Sequence, residues 1–353
     1  MSRVVVAMSG GVDSSVAAAL LQQQGYAVIG MMMRLWNEPG AADANRCCTP
    51  DAMALARRVA ARLGIPFYAV DAQQVFRDTV VEYFLDGYAR GETPNPCLAC
   101  NRHIRWDFLL KHARAMGADY LATGHYARLR AVDGKTQLLK GVDEKKDQSY
   151  VLSVLTQEKL AHALFPLGNY TKPQVRQLAR DFGLPVAERS DSQDLCFLGN
   201  GDYRDFLLRH APQVNEPGPI LDRGGRRLGC HTGLAFYTIG QRKGLNIASS
   251  VPMYVLAKDT EQNALIVGDA HALGQDELVA SQVNWLAGEA PAAQFRAGIK
   301  IRYKAAEAAG TVLLLDTTRA HVKFDEPLRD ITPGQGVVFY EGEVCLGGGL
   351  IGA

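Results

Sequence analysis

A short apolar run, two adjacent glycines and a helix-like segment follow one another at the start of the chain. Residues 3–8 read Arg-Val-Val-Val-Ala-Met, a pattern typical of a strand buried in a parallel sheet. Gly10 and Gly11 allow the backbone to turn sharply and to approach a ligand without an intervening Cβ atom. A helix beginning near Asp13 directs its unpaired N–H groups and positive dipole end at this turn. The segment therefore predicts a cradle for a phosphate group.

This phosphate cradle differs from a Walker loop, because no lysine stands at the start of the helix. Residues 9–14 read Ser-Gly-Gly-Val-Asp-Ser and resemble the PP-loop of enzymes that cleave ATP between its α and β phosphates. A bare pair of glycines would indicate an ordinary strand–helix turn. The complete string, placed directly after an N-terminal strand, favours an ATP site.

The composition narrows the class of protein. With 353 residues, 47% of them hydrophobic, the chain is long enough for two or three globular domains. It has no apolar run long enough to cross a membrane and no signal peptide, so we expect a cytoplasmic protein with no membrane partner. A net charge of +1 means that nucleic acid would have to be bound by local patches. Seven cysteines, an odd number, favour thiol chemistry or metal ligation over a disulfide scaffold.

Strand and helix signals alternate through the first half of the chain. Such alternation predicts a doubly wound parallel sheet, in which ligands bind at the carboxyl ends of the strands. Met33, Asp71 and Gly124 fall at predicted strand ends, as does the PP-loop. Asp133-Gly134 lies between two alternating runs and predicts a tight β-hairpin. From about Leu278 onward, short alternating runs separated by Gly and Pro predict a small β-barrel.

Two cysteines lie in a proline-rich segment, residues 93–101, which reads Thr-Pro-Asn-Pro-Cys-Leu-Ala-Cys-Asn. Its prolines and its Asn predict a rigid, non-helical loop before a helix that begins near Arg102. Cys100 would then lie near the helix N-terminus, where the dipole and the neighbouring basic residues favour a thiolate. A lone Cys-x-x-Cys can also be half of a zinc site, but the sequence has no matching second half.

The remaining cysteines carry less information. Cys196 lies far along the chain, in the string Ser-Gln-Asp-Leu-Cys-Phe. Cys230 and Cys345 stand alone in apolar or glycine-rich surroundings, and we expect them to be packing residues. Cys47 and Cys48 are adjacent, and their role is left open.

The order of these motifs resembles that of the tRNA-specific 2-thiouridylase family. The PP-loop comes first, the Asn-Pro-x-x-x-Cys-Asn segment second and the Ser-Gln-Asp-Leu-Cys-Phe string third. The match continues through further segments at 123–127, 146–150, 237–244 and 300–303. It spans nearly the whole chain, and the combined order is far more specific than any single motif.

The resemblance implies a fold and a reaction. It implies a PP-loop domain of the adenine nucleotide hydrolase type at 1–199, a small central tRNA-binding domain at 200–275 and a C-terminal β-barrel at 276–353. ATP, with Mg²⁺, would adenylate the C2 oxygen of the wobble uridine, and sulfur would then replace the activated oxygen. The partners would be the anticodon loop of tRNA and a cysteine desulfurase or sulfur-relay protein as sulfur donor. The expected oligomeric state is a monomer.

The resemblance also implies roles for individual residues. Cys196 would carry a persulfide, and Cys100 would attack it to free sulfide and leave a Cys100–Cys196 disulfide, or the persulfide would attack the uridine directly. Asp13 would help to hold Mg²⁺. The expected ATP contacts are Ala7, Met8, Ser9, Gly10, Gly11, Val12, Asp13, Ser14, Met33 and Gly124. The expected contacts with the target base and the tRNA are Asn95, Pro96, Cys97, Lys146, Asp147, Gln148, Arg302 and Tyr303.

Residue types support the last pair independently. Arg302 and Tyr303 are a cation and an aromatic ring on a predicted strand at 295–303. Such a pair suits phosphate contact and base stacking, although a solvated edge of the barrel is the simpler interpretation.

Three alternatives stay open. Cys97 stands where some family members have Asp, so Cys97, Cys100 and Cys196 could together hold a [4Fe–4S] cluster with one iron open to sulfide. The chain could instead be a PP-loop synthetase that activates a carboxylate. It could also be a non-catalytic ATP- and RNA-binding protein. Pyrophosphate release on addition of ATP and unmodified tRNA separates the last two from a thiolating enzyme.

Overall fold

The computed structural model describes residues 1–38, 49–189, 195–198 and 201–352. Within these ranges, no helix is long and apolar enough to cross a membrane. Cys47 and Cys48 lie outside the described residues.

The strands form three sheets. In chain order the strands are β1 (Arg3–Ala7), β2 (Ala27–Arg34), β3 (Phe67–Asp71), β4 (Tyr120–Ala122), β5 (Ala127–Val132), β6 (Lys135–Lys140), β7 (Ala163–Leu164), β8 (Gly218–Asp222), β9 (Arg227–His231), β10 (Tyr254–Asp259), β11 (Ala264–Gly268), β12 (Gln275–Trp285), β13 (Gln294–Lys300), β14 (Ala308–Leu314), β15 (Ala320–Leu328), β16 (Gly336–Glu341) and β17 (Val344–Ile351). The helices are α1 (Val12–Gln23), α2 (Pro50–Leu63), α3 (Gln73–Phe76), α4 (Glu82–Ala89), α5 (Pro96–Ala99), α6 (Leu110–Ala115), α7 (Ser149–Leu152), α8 (Gln157–Ala161), α9 (Lys172–Asp181) and α10 (Tyr203–His210).

The first sheet is parallel throughout, in the order β3-β2-β1-β4-β7. Its central strand β1 is buried on both faces, because Val4 and Val6 enter one hydrophobic core while Val5 enters another. This explains the unbroken apolar run in the sequence. The predicted doubly wound parallel sheet is confirmed.

The helix boundaries follow the capping signals. The Thr49 side chain accepts a hydrogen bond from the Ala52 N–H and caps α2, with Pro50 in the first helical turn. Gly64 ends this helix in the left-handed conformation, with φ +65°. Two helices contain π-helical turns: Arg77–Val81 joins α3 to α4, and Cys100–Leu109 joins α5 to α6.

The C-terminal strands form an antiparallel barrel in the order β12-β15-β14-β13-β16-β17, and pairing of β12 with β17 closes it. The predicted barrel is confirmed. The predicted hairpin is formed by β5 and β6, with positive φ at both Asp133 and Gly134. Strand β6 pairs with β17, so the hairpin continues the barrel sheet into the α/β part of the chain.

The third sheet lies between these two parts in the sequence, in the order β10-β11-β8-β9. Its apolar face shares one hydrophobic core with the helix around α3 and α4. Phe206 of α10, Ile220 of β8 and Phe84 of α4 are all fully buried in this core. The central sheet is therefore packed directly on α3 and α4, which precede Cys97 and Cys100 in the chain.

Phe339 allows a test of the barrel core. Its side chain is fully buried and stacks on Trp285, with ring centroids 5.5 Å apart. We expect Phe339→Ala to lower the free energy of unfolding by about 3–5 kcal/mol, because it leaves a cavity among packed side chains. Leu313 lies in the same barrel but is 42% exposed, so Leu313→Ala should change that free energy by less than about 0.5 kcal/mol. Denaturant unfolding measures both, and equal effects would contradict the assignment of Phe339 to the core.

Candidate active site

The PP-loop connects β1 to α1 at the carboxyl edge of the parallel sheet. Gly10 has φ +68°, and a Cβ atom there would lie 2.3 Å from the carbonyl oxygen of Ala52 in α2. Both its backbone conformation and the available space therefore require glycine. Gly11 caps α1 in an extended conformation, so that the helix begins directly at the turn. The predicted strand, glycine turn and helix N-terminus are present in this order.

Several polar groups meet at this turn. The first N–H groups of an α-helix have no partner within the helix, so those of Val12, Asp13 and Ser14 are available to an anion. The Ser14 hydroxyl accepts a hydrogen bond from the Ser9 N–H at 3.2 Å, which holds the loop in its curved form. Phosphate oxygens fit such a cradle, because the glycines leave space and the helix dipole favours negative charge.

The two other predicted nucleotide contacts lie on the neighbouring strands. Met33 is near the end of β2 and Gly124 follows β4, and these strands flank β1 on either side. A Cβ atom on Gly124 would lie 2.8 Å from the Ser14 nitrogen and 2.9 Å from the Asp13 carbonyl carbon. The structure therefore brings Gly124 against the start of α1.

Asp13 is the best-connected side chain of the loop. Lys172, the first residue of α9, donates from Nζ to both carboxylate oxygens of Asp13 at 2.7 and 2.9 Å. The Tyr126 hydroxyl donates to Asp13 Oδ1 at 2.8 Å. The Lys172 side chain is only 10% exposed, so the pair is partly shielded from water and its attraction is stronger than at an open surface.

Sequence reasoning missed both partners of Asp13. Lys172 follows a helix-capping Thr, which predicts a helix start but no contact 159 residues away. Tyr126 belongs to a motif that the family resemblance includes, although no role followed from it. A cation at this loop is chemically reasonable, since the loop has no Walker lysine of its own.

Asp13 also suits a magnesium ion. Its carboxylate is 34% exposed, and Mg²⁺ is commonly held by one or two carboxylates together with phosphate oxygens and water. Among the described residues, no cluster of three or more His, Cys, Asp and Glu side chains forms a metal site by itself. The donor set therefore fits an ion that arrives with a nucleotide.

The segment that carries Cys97 and Cys100 is helical, so the prediction of a non-helical loop is wrong. Asn95 is the N-cap, and its side chain accepts a hydrogen bond from the Leu98 N–H at 3.3 Å. Pro96 takes the first helical position, where its fixed φ suits a helix and its missing N–H costs nothing. The dipole of the first turn therefore acts most directly at Cys97, whereas Cys100 lies at the start of the π-helical turns.

Cys100 and Cys196 pack against the same hydrophobic core. The backbone beside Cys196 is anchored by Phe197, whose buried ring lies 5.2 Å from Phe84 and 5.5 Å from Phe206, centroid to centroid. Two cysteines that are 96 residues apart in the sequence thus pack on one hydrophobic core, and both are free thiols.

The cluster hypothesis finds no support in this arrangement. Cys97, Cys100 and Cys196 all belong to the described part of the chain, and no group there of three possible ligands is arranged around a metal position. Cys97 is exposed on its helix, whereas Cys100 and Cys196 are half-buried. Of the cysteines expected to be packing residues, Cys345 is buried, but Cys230 is exposed on the edge strand β9.

A second group of predicted residues surrounds Tyr150 of α7. The Asn95 side chain lies near the Tyr150 phenol, which donates to the Gly336 carbonyl at 2.9 Å. Tyr303 lies beside it, with ring centroids 6.2 Å apart. Burial, helped by the charges of Asp147 and Cys97, raises the pKa of Tyr303 to about 12, so its hydroxyl stays protonated near neutral pH.

The sequence predicted a strand through Arg302 and Tyr303, and that prediction is wrong. Strand β13 ends at Lys300, and both residues follow in a turn that the Arg302 carbonyl closes by accepting from the Ala305 N–H at 3.2 Å. The alternating sequence pattern continues beyond Lys300, but the residues there form no strand pairing. Side-chain contacts fix their position instead. Arg302 donates to the Thr332 hydroxyl at 2.6 Å and lies 3.5 Å from the Asp330 carboxylate.

The segment of Lys146, Asp147 and Gln148 has an internal role. Asp147 is buried and accepts hydrogen bonds from the Gly141 N–H and from the N–H and hydroxyl of Ser149. Gln148 accepts a hydrogen bond from the Tyr126 N–H at 3.0 Å. Lys146 is partly exposed. Asp147 and Gln148 therefore support the site, and their side chains hold the backbone around it.

Models of known families cover the chain in three pieces. A tRNA methyl transferase HUP domain matches residues 2–200, a tRNA methyl transferase PRC-barrel domain matches 204–269 and an aminomethyltransferase β-barrel domain matches 275–351. The first covers more than half of the chain. Their descriptions refer to methyl transfer, so the full-length relatives decide which chemistry the family is named for.

Two full-length relatives carry the same name. The tRNA-specific 2-thiouridylase MnmA of Moorella thermoacetica is 52% identical over 353 residues, which is 98% of each chain. That of Magnetococcus marinus is 50% identical over 352 residues, covering 99% of this chain and 98% of its own. This chain belongs to the tRNA-specific 2-thiouridylase family. The resemblance predicted from the motifs is confirmed, and with it the class of enzyme, a tRNA sulfurtransferase.

Solved structures are more distant from this 2-thiouridylase family member. A complex of 4-thiouridine synthetase and RNA with bound ATP is 17% identical, with a TM-score of 0.36, and covers 60% of this chain and 51% of its own. A structural likeness this weak says nothing about function.

Gly124 gives a test of the nucleotide site. Gly124→Ala should weaken ATP binding about tenfold or more, because an overpacked Cβ at the start of α1 costs roughly 1–3 kcal/mol. The control is Gly224→Ala in an exposed turn, where the nearest atom is a movable carboxylate oxygen of Asp222 at 3.3 Å. Calorimetric titration with ATP measures both. Unchanged affinity in Gly124→Ala would contradict the placement of Gly124 at the cradle.

Proposed function

We propose that this chain uses ATP to adenylate the C2 oxygen of the tRNA wobble uridine and replaces that oxygen with sulfur carried by Cys196. The observation that carries the proposal is the convergence of Cys100 and Cys196 on one hydrophobic core, in a 2-thiouridylase chain with a formed PP-loop. The relatives are named for tRNA 2-thiouridylation, which is the same overall reaction.

The activation step uses the residues at the PP-loop. The N–H groups at the start of α1 and the Lys172 ammonium bind phosphate oxygens as negative charge builds up on the leaving pyrophosphate. Asp13 would hold Mg²⁺, which when bound would neutralise part of that charge. The uridine C2 oxygen attacks the α-phosphorus, the bond to the β-phosphate oxygen breaks, and an adenylated uridine results. A poor leaving group, the carbonyl oxygen, thereby becomes part of a good one, AMP.

The sulfur step uses the two thiols. A cysteine desulfurase or a sulfur-relay protein converts the Cys196 thiol to a persulfide. The Cys100 thiolate attacks the inner sulfur of Cys196, a Cys100–Cys196 disulfide forms, and hydrosulfide leaves. Hydrosulfide adds to C2, and AMP departs with the former carbonyl oxygen. The two cysteines supply the two electrons that reduce the outer sulfur, and a cellular thiol later reduces the disulfide.

The hydrophobic surroundings suit this chemistry. Both thiols pack against aromatic and aliphatic side chains, so sulfide released between them is partly shielded from water. Direct attack of the persulfide on the activated carbon would release AMP and leave the base joined to Cys196 through a disulfide. The Cys100 thiolate would then attack the Cys196 sulfur, release 2-thiouridine and form the same Cys100–Cys196 disulfide. A covalent link between Cys196 and the tRNA, which would accumulate in Cys100→Ser only by direct attack, separates the two routes.

The tRNA is bound through a second set of residues. We place the target base near Asn95, Pro96 and Cys97, which lie beside Tyr150 and the Tyr303 ring. The wobble base lies in a single-stranded loop, so turning it into the site costs less than extracting it from a duplex. Arg302 and Lys146 provide positive charge for phosphates of the anticodon loop. We assign this work to a monomer with domains at 1–199, 200–275 and 276–353.

Cys196 separates activation from sulfur transfer. Cys196→Ser should abolish formation of 2-thiouridine yet still release pyrophosphate from ATP and unmodified tRNA, because the hydroxyl cannot carry a persulfide. The matched control is Cys230→Ser on edge strand β9, which should thiolate tRNA at the normal rate. Mass spectrometry of the tRNA nucleosides and a pyrophosphate assay give the two readouts. Normal thiolation by Cys196→Ser would remove Cys196 from the mechanism.

Asp13 is expected to act earlier. Asp13→Ala should lose pyrophosphate release itself, since Mg²⁺ loses its carboxylate and Lys172 its partner. The assay also tests the alternative of a non-catalytic ATP- and RNA-binding protein. Such a protein would release no pyrophosphate even without the Asp13→Ala substitution.

Tyr303 tests the assignment of the tRNA surface. Tyr303→Ala should weaken tRNA binding by roughly 1–3 kcal/mol, the usual contribution of one stacked base, while Tyr303→Phe keeps the ring and most of the affinity. Tyr68, 49% exposed on β3, provides the control variant Tyr68→Ala, which should bind tRNA normally. Filter binding at fixed salt measures all three. Equal affinity of Tyr303→Ala and the natural protein would place the base elsewhere.

A further inference from the structure

The helix that carries Cys97 and Cys100 contains a buried acceptor without a donor. Asn101 is only 5% exposed, and its Nδ2 donates to the Cys97 carbonyl at 3.0 Å. Its Oδ1 is buried and has no hydrogen-bond partner among the described residues. Turning the amide over would place two oxygen acceptors together at Cys97, so this bond fixes Oδ1 as the unused atom. An unpaired buried acceptor is costly for the fold, which makes Oδ1 a candidate ligand-binding atom.

A second atom of this kind lies on the other side of the segment proposed to line the target base. The Thr93 hydroxyl oxygen is buried and unpaired within the described part of the chain. Both backbone groups of Thr93 are hydrogen-bonded to the barrel, so the residue is held in place. Thr93 and Asn101 flank residues 95–97 in the sequence. Hydrogen-bonding capacity is therefore left over on both sides of this segment, as expected where a polar ligand binds.

Asn101 lies on the side of its helix that faces the boundary between two hydrophobic cores. Leu98, three residues earlier, enters the core that contains Val5 of β1. Ile104, three residues later, enters the core shared with the central sheet. Positions three residues before and after Asn101 lie on either side of it around the helix. Met33, an expected ATP contact, packs against both cores and marks the same boundary.

The next turn of this helix face approaches the nucleotide edge of the parallel sheet. Arg105 is four residues beyond Asn101 and therefore on the same face. Burial, together with the nearby charge of Arg105, lowers the pKa of His125 well below its usual value. Arg105 thus lies close to the residue that follows Gly124. The face runs from Cys97, through Asn101, towards the proposed ATP site.

We propose that Asn101 selects uracil as the target base, through a hydrogen bond from the uracil N3–H to Oδ1. The inference rests on the proposed function, because it takes the wobble uridine as substrate. Uracil presents N3–H between its two carbonyl oxygens, whereas cytosine presents an N3 acceptor at the same place. A site built to bond a substrate N–H rejects an analogue without it, because the buried acceptor then stays unpaired. Since N3 is bonded to C2, the contact also fixes the carbon at which oxygen is replaced.

The burial of Oδ1 sets both the strength of this contact and the way in which a base reaches it. A hydrogen bond formed away from water is not weakened by competing solvent. Cys97, whose carbonyl binds the Asn101 amide, is exposed. A base that enters beside Cys97 reaches Oδ1 once the side chains covering the amide move, a change common where partners bind.

A double-mutant cycle tests the pairing. The protein is changed by Asn101→Ala, and the N3–H is removed by placing 3-deazauridine at the wobble position of an anticodon stem-loop RNA. The natural protein should bind the uridine RNA about tenfold more tightly than the 3-deazauridine RNA, whereas Asn101→Ala should bind both within about twofold of each other. Filter binding at fixed salt gives the four dissociation constants. A merely structural role would weaken binding of both RNAs alike and leave the preference unchanged.

Three further variants complete the experiment. Asn101→Asp keeps an oxygen acceptor and should keep the preference for uridine. Asn263→Gly is the matched control, because the Asn263 amide also donates to backbone carbonyls, those of Glu216 and Pro217, and its φ of +47° suits glycine. It should show the full preference. If Asn101→Ala does not fold, Asn101→Ser should show a reduced preference, since its short hydroxyl can bond the Cys97 carbonyl but does not reach the base.

Two results would overturn the proposal: no preference for the uridine RNA in the natural protein, or the same preference in Asn101→Ala. Absence of 2-thiouridine in the nucleoside assay with intact tRNA would instead mark a failure of the proposed function. If 2-thiouridine forms and either of the two results is found, the assignment of Asn101 alone is wrong.

Discussion

The close approach of neighbouring backbone segments at the PP-loop is the constraint on which the rest of the site depends. Gly10 meets the Ala52 carbonyl of α2, and Gly124 meets the first turn of α1, with no room for a Cβ atom at either place. These contacts put the start of α1 against the ends of β1 and β4. The helix donors, the Asp13 carboxylate and the predicted nucleotide contacts then share one edge of the sheet.

Charge at this edge is balanced by residues from far along the chain. Lys172 neutralises Asp13 in a partly buried setting, and Arg189 binds the Gly10 carbonyl. Removing only one member of a buried charge pair is costly, because the other member is left without compensation. The late helix α9 and the segment after it are therefore as much part of the phosphate site as the loop itself. They also precede Cys196, so the proposed sites of activation and of sulfur supply are close along the sequence.

The barrel shapes the second half of the site. The Thr93 N–H donates to the Pro333 carbonyl at 2.9 Å, and the Gln335 side chain donates to the Thr93 carbonyl at the same distance. A Cβ atom on Gly334 would lie closer to Glu92 and Thr93 than ordinary van der Waals contact allows. The helix of the two cysteines thus begins at a junction built by the barrel. A tRNA contacting Arg302 and Tyr303 would meet this same junction.

Local signals in the sequence determined the parallel sheet, the PP-loop, the tight hairpin and the barrel, because glycine turns, capping residues and apolar periodicity act over a few residues. They also singled out the thiols and the loop residues as candidates, and those functional assignments stay predictions. They misjudged residues 93–101, where Asn95 and Pro96 start a helix and do not form a loop. Only the tertiary structure decided that Lys172, Tyr126 and Arg189 meet the PP-loop and that Cys100 and Cys196 pack on one hydrophobic core. The contacts at the PP-loop join residues 113 to 179 positions apart, and chain packing, which no local pattern records, brings them together.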